Sequence, residues 1–301
     1  MSDFASTLPV APVTPLRRFA RAFASSRIAL AGLALLVAIV AIAILAPWIS
    51  PQNPYDLTQL DILDGRLPPG SVAATGMTHW LGTDDQGRDM ASAILYGLRI
   101  SLFVGVTSAV AAAAIGAMLG LFAAYAGGRI EAAIMRLVDL QLSFPSILIA
   151  LMILAFLGKG IANVVLALVI VEWAAYARTA RASALVESRK EYIEAATAMG
   201  ASGARILFRH LLPNCTTPLL VIATVQVARA IALEATLSFL GLGVPVTEPS
   251  LGMLIANGYQ YMLSGKFWIS FYPGLALLLT VVAINMVGDH LRDVLNPRRD
   301  A

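Results

Sequence analysis

Residues 28–49 read IALAGLALLVAIVAIAILAPWI, 22 consecutive residues without a charge. A helix of about 20 apolar residues crosses the hydrocarbon core of a bilayer. The run is too long for the apolar part of a signal peptide and no A-x-A site follows it, so it reads as a retained membrane anchor. Comparable runs fall at about 100–125, 132–157, 161–176, 217–240 and 272–287. Backbone polar groups in lipid must be satisfied inside the segment, which leaves helices as the way for such runs to span. The expectation is an all-α membrane protein with six transmembrane helices and both termini on one side. Composition agrees: 58% of the chain is hydrophobic and 13% charged. A soluble domain carries roughly a quarter charged residues.

Lysine and arginine set the side. Arg17, Arg18, Arg21, Arg27, Arg129, Arg136, Arg178, Arg181, Arg189, Lys190, Arg205, Arg209, Arg292, Arg298 and Arg299 would share one side. Arg66, Arg88, Arg99, Lys159 and Lys266 would share the other, with Arg229 inside the fifth span. Fifteen against five puts both termini in the cytoplasm. The net charge of +3 is explained by this bias and does not call for a nucleic-acid partner. With a single cysteine, Cys215, the chain forms no internal disulfide.

The longest cytoplasmic segment, about 177–216, contains EYIEAATAMGASGARILFRHLLPN at 191–214. Leu185, Tyr192, Ala195, Ala196 and Met199 fit an apolar stripe at helical spacing. Gly200 and Gly203 bracket a break, and a second short helix, ARILFRHLL, is expected to end at Pro213. Two short helices meeting at a glycine would make an elbow. Periodicity alone favours the plainer reading, a surface helix pair that merely connects two spans.

On the outer side, residues 51–79 carry many prolines, glycines and aspartates and read as an irregular loop. In the following LGTDDQGRDM, Thr83 and Gln86 have the spacing of a capping box. Met90, Ala93, Ile94, Gly97 and Leu98 then share one face, which predicts an amphipathic helix along the membrane surface. Asp84, Asp85, Arg88 and Asp89 would face water, either as an external contact or as caps and anchors. DDQGRD lacks the ligand spacing of a calcium loop, and His79 stands among aspartates at no metal-binding spacing, so no metal site is expected. Inside the spans, Asp139, Glu172, Arg229 and Glu234 are ionisable and hence functional candidates. Arg229 and Glu234, five apart, point about 140° away from each other around a helix. Glu234 and Arg229 would line a translocation path or face a partner subunit, and Glu172 would snorkel toward the cytoplasm.

The cytoplasmic segment resembles a known pattern. Glu194, Ala195, Ala196, Gly200, Leu212 and Pro213 stand at the spacing of the EAA loop of ABC importer permeases. His210 departs from the isoleucine usual in that pattern and, with the LLPN that follows, resembles the peptide-importer branch. WLGTDDQGRDMASAILYGLRISLFVG (80–105), LSFLGLGVPVTEPSLGMLIANG (237–258) and FYPGLALLLTVVAINMVGDHLRDVLNP (271–297) are similar to the C-type permease subunits of dipeptide, oligopeptide and nickel importers. Together these stretches cover nearly the whole chain. The resemblance implies the type I ABC importer fold, with a cytoplasmic coupling helix in the elbow that docks on an ATPase. It also implies four divisions: a cytoplasmic tail at 1–27, a first transmembrane helix and external loop at 28–96, a transmembrane domain at 97–291 with the EAA loop at 191–213, and a cytoplasmic tail at 292–301. The implied partners are a homologous second permease subunit, two ABC ATPase subunits and an extracytoplasmic substrate-binding protein, at the bacterial inner membrane. The implied cargo is a di- or oligopeptide, with nickel and glutathione carried by similar permeases.

The chain holds no G-x-x-x-x-G-K-[ST] sequence, so any ATP-driven work needs another chain's nucleotide site and no catalytic residue or cofactor is expected. The competing class is a self-contained secondary transporter or channel, which predicts an internal repeat and midplane helix breaks. No repeat is evident, and that class leaves the elbow without a role.

Overall fold

In the computed structural model, residues 15–73 and 76–295 are described. The outer parts of both expected cytoplasmic tails, Arg298 and Arg299 included, lie outside the described residues. The apolar runs are helical, but their boundaries differ from the hydropathy limits. A short helix α1 (Pro15–Ala24) leads into α2 (Arg27–Ile49), whose cap Ser26 accepts a bond from the Ala29 N–H at 3.2 Å. The outer loop carries a two-stranded antiparallel pair, β1 (Ser71–Val72) and β2 (Thr78–His79), that pairs Ser71 with His79.

The second span is longer than expected. Helix α3 (Met90–Ala126) runs unbroken for 37 residues. At the rise of an α-helix that is about 55 Å, well beyond the hydrocarbon core. The expected surface helix is simply its first turns. Met90, Ala93 and Leu98 are buried against neighbouring helices instead of lying on lipid. Gly97 does not break it; a Cβ there would stand 3.3 Å from the Leu251 backbone nitrogen, so the glycine serves close approach. Asp89, not Thr83, caps this helix, accepting from the Ser92 N–H at 2.8 Å. The expected domain limit at 96/97 therefore falls inside a continuous helix.

The third expected span is not straight. Helix α4 (Gly128–Ser143) and helix α5 (Ser146–Leu157) meet at 92° across Phe144 and Pro145. Proline has no N–H to give to a preceding turn and disfavours helical geometry in the residue before it, so the chain changes direction there. Helix α6 (Ile161–Glu187) returns along α3. The elbow follows as α7 (Glu191–Ala198) and α8 (Gly203–Arg205), then a π-helical stretch at Ile206–Leu211 that passes directly into α9 (Leu212–Phe239). Outer helix α10 (Leu251–Tyr259) and the last span α11 (Trp268–Leu295) complete the bundle. Among the described residues, five helical stretches are long and apolar enough to cross a membrane, or six if the bent α4–α5 pair is one span.

Small residues decide how the spans pack. In lipid, helices associate by close packing, which small residues permit. Gly116 and Gly120 form a G-x-x-x-G face on α3 against α6. A Cβ on Gly116 would stand 2.6 Å from Tyr176 Cβ, and one on Gly120 would stand 2.8 Å from Ala180 Cβ. Gly105 likewise admits Ile231 of α9. Large apolar side chains point outward instead: Phe156 is 86% exposed and Val110 63%. Such a surface suits lipid or a partner helix.

The two ends of the bundle are distinct. At one, Trp268 Nε1 donates to the Thr83 carbonyl at 3.3 Å, joining the start of α11 to the outer loop. At the other, His290 of α11 stacks edge-on against Phe23 of α1, with centroids 5.0 Å apart. The elbow lies at this second end, where Gly203 abuts Tyr125 at the close of α3.

Candidate functional site

The elbow has a buried and a free face. Ile193 and Ala196 of α7, with Ile206, Leu211 and Cys215, pack against Ala117, Leu121, Ala180 and Ala184 at the ends of α3 and α6. Tyr192 donates its hydroxyl to Glu187, and Lys190 Nζ pairs with the same carboxylate at 2.8 Å. Burial, and then the bond to Glu187, push the Tyr192 hydroxyl up to about 12, so it stays a donor. Asn214 Nδ2 ties the second arm to the first through the Tyr192 oxygen at 3.1 Å.

Gly200 makes the turn. Its φ is +76°, a conformation that glycine reaches without penalty. The Gly200 N–H bonds the Thr197 carbonyl and the Ala201 N–H bonds the Ala196 carbonyl, both at 3.0 Å. This pair of bonds is the Schellman closure of a helix end. The free face then carries Glu191, Glu194, Ala195, Ala198 and Met199, all exposed. Glu194 makes no ion pair among the described residues.

Two expectations about the elbow are corrected. Tyr192, Ala195 and Met199 do not belong to a buried stripe: Met199 is 82% exposed and the inward positions are Ile193 and Ala196. A stripe counted from Tyr192 is one residue out of phase with the packed face. Nor does the second arm end at Pro213. Pro213 follows a wider π turn, in which the Leu212 N–H reaches the Leu207 carbonyl, and the helix continues through it into α9. Half-buried Leu212 packs on the elbow cluster, while Pro213 is exposed. From Gly203 to Phe239 the chain is one helical lever.

The intramembrane candidates separate. Glu234 is fully buried and lines no open path in this chain. Ser101 Oγ of α3 donates to it at 2.9 Å and Ser238 Oγ at 2.8 Å, so the carboxylate joins α3 to α9. Serines can surround a carboxylate this way because they are small and each offers an O–H. Arg229 is exposed on another side of α9, and its Nη2 donates to Ser146 Oγ at 3.0 Å. Glu172 does not snorkel; it is 2% exposed near the middle of α6. Asp139 is exposed and pairs with Arg178 at 2.5 Å.

The outer charges do not face water as expected. Asp84 is 0%, Arg88 1% and Asp89 2% exposed. Asp84 accepts from the Gln86 and Arg88 N–H groups at 2.9 Å each and from Arg88 Nε at 2.5 Å. Arg88 Nη1 reaches the Val246 carbonyl at 3.2 Å. Asp89 holds His79 Nδ1 at 3.0 Å, and its own N–H donates to Gln52 Oε1 at 2.6 Å. Asp84, Arg88 and Asp89 each have partners within the chain, several of them distant in sequence, so the cluster fastens the outer loop to the bundle. Asp85 is half-buried, and burial followed by the Asp84 charge raises its carboxyl above the usual range.

Comparisons with known proteins agree with this architecture. The profile of the binding-protein-dependent transport system inner membrane component family matches residues 116–301. That of the N-terminal transmembrane domain of oligopeptide transport permease C matches residues 14–69. The chain is 40% identical to the di/tripeptide transport system permease protein DppC of Pseudomonas aeruginosa (strain UCBPP-PA14), covering 95% of this chain and 93% of that protein. It is 41% identical to the dipeptide transport system permease protein DppC of Escherichia coli (strain K12), covering 95% and 94%. An inward-facing structure of the MetNI methionine ABC transporter shares the fold, with a TM-score of 0.56 at 20% identity over 69% of this chain and 98% of that one. The chain thus belongs to the binding-protein-dependent transport inner membrane components, as an ABC importer permease subunit of the C type.

Proposed function

We propose that this chain is one half of the pore of an ATP-driven importer of di- or oligopeptides. Its pore partner is a homologous second permease subunit, and energy comes from two separate ATPase chains. An extracytoplasmic binding protein delivers the cargo at the outer-loop end. The relatives named above supply the peptide reading. The membrane is the bacterial inner membrane in this reading, and a cytoplasmic placement of both termini and the elbow is supported by the lysine and arginine bias and by the elbow lying at the α1 end of the bundle.

The observation that carries the mechanism is the unbroken passage from the elbow's second arm into α9, with α7 packed on the same cluster as that arm. An ATPase surface seated on Glu194, Ala195 and Met199 would push a lever whose far end carries Arg229 and Glu234. Small Ala195 lets the partner's backbone approach, and Gly200 lets the chain reverse beside it. ATP binding draws the elbows of the two permeases together and turns the pore outward; hydrolysis resets it. No bond in the cargo changes, and the chain contributes no nucleotide site of its own. The test is uptake of a labelled dipeptide by proteoliposomes holding the purified complex. Uptake that requires both ATP and the binding protein, with ATPase chains co-purifying, supports the reading. Uptake driven by an ion gradient without ATPase chains would refute it.

A further inference from the structure

Glu172 differs from Glu234 in one respect. Both carboxylate oxygens of Glu172 lack a hydrogen-bond partner among the described residues, although the side chain is 2% exposed. Glu234, in the same bundle, is bonded by serine hydroxyls, so this fold does satisfy a carboxylate where it only needs to be stored. A buried ionisable group in a span without a partner marks a site by default. Gln226 Nε2 on α9 is unpartnered as well, and Gln226 is 4% exposed.

These groups line one cleft. Gln141, Ser146, Glu172, Gln226 and Arg229 surround a cavity of about 50 Å³ beside the 92° break between α4 and α5. Arg229 makes no ion pair with Glu172, and one of its guanidinium nitrogens bonds Ser146 instead. The volume admits a few water-sized groups, not a whole dipeptide. A peptide at this cleft would place one end inside and leave its remainder outside, beside exposed Arg229.

We propose that the Glu172–Gln226–Arg229 cleft is a transmembrane subsite for a zwitterionic peptide in transit. The acceptor, the neutral donor and the cation match an α-ammonium, a peptide carbonyl and a carboxylate in turn. Glu172 takes the ammonium, the Gln226 N–H donates to the carbonyl, and Arg229 binds the carboxylate at the mouth. The inference rests on the peptide-import reading above. It adds that part of the selectivity for a free amino end resides in the pore.

The test uses the full detergent-purified complex without binding protein. Binding of Ala-Ala, N-acetyl-Ala-Ala and Ala-Ala-amide is measured directly and by thermal shift. Wild type is expected to bind Ala-Ala and to reject the acetylated form. Glu172→Gln, near-isosteric, should keep the wild-type Tm and weaken Ala-Ala binding about ten- to a hundredfold, the loss of one charge-assisted hydrogen bond. Arg229→Gln should erase the preference of Ala-Ala over its amide. Equal binding of the acetylated peptide by wild type would overturn the subsite without needing any variant to fold. So would unchanged Ala-Ala affinity in Glu172→Gln. Either result, beside intact wild-type dipeptide uptake in proteoliposomes, leaves the import reading standing. Absence of wild-type uptake, with all partners present, overturns both.

Discussion

Replacing Gly200 separates docking from folding at the elbow. Its φ is +76°. Any residue with a Cβ pays a left-handed penalty there of roughly 1–2 kcal/mol. A Cβ at Gly200 meets nothing within 4 Å, so no internal clash is added. The penalty falls on the Schellman closure of α7 and disfavours the turned elbow roughly 5- to 30-fold. Gly200→Asn should cost less, because asparagine tolerates this conformation. Gly200→Ala carries the strain alone. Gly200→Trp carries the same strain and adds bulk on the face proposed to dock the ATPase. ATPase chains retained per folded permease should therefore fall in the order Asn, Ala, Trp. Folded yield should be similar in the last two, and transport should be lost in Trp. The assay is co-purification with each variant, beside peptide uptake in proteoliposomes. Full ATPase retention and transport in Gly200→Trp would refute the docking argument. Retention that merely tracks folded yield would show an elbow that only packs.

Met199→Asp, at a position 82% exposed, should leave Tm unchanged and lower ATPase retention; a fall in Tm instead would place Met199 in the folded core. Arg88→Ala strands the buried Asp84 carboxylate and should destabilise the outer loop by about 3–5 kcal/mol, read as a lower Tm. A normal Tm with lost stimulation by the binding protein would return Arg88 to the contact role. Asp85, whose carboxyl is raised by burial, opposes folding once ionised, so Asp85→Asn should raise Tm at neutral pH. That gain should fade as pH falls through the raised value, and a pH-independent difference would refute the cause. For orientation, a cysteine at Ser71 should be labelled from outside intact cells and one at Ser202 spared, in a chain lacking Cys215; the reverse pattern would refute it.

Much of this molecule was legible in one dimension because lipid is a simple solvent. Runs such as 28–49 can only be helices there, and the fifteen-to-five division of cations sets an expected orientation without any tertiary contact. The spacing of Glu194, Ala195, Ala196 and Gly200 marked the elbow, since a helix end that turns on a left-handed residue calls for glycine. Hydropathy has no term for what a side chain touches across the fold, and there the reading failed. Asp84, Arg88 and Asp89 looked like a wet surface, yet they are buried: Asp84 is held by nearby Arg88, while the partners of Arg88 and Asp89, the Val246 carbonyl, His79 and Gln52, come from 10 to 158 residues away. Glu234 was expected on a path wall or against a partner subunit, and only the tertiary fold brings the hydroxyl of Ser101, on another helix, to its carboxylate. The stop expected at Pro213 could not foresee the π turn at Ile206–Leu211, which carries the helix on through the proline. Glu172 and Gln226 lie 54 positions apart, and only the packing of α6 against α9 beside the broken α4–α5 pair gathers them into one cleft.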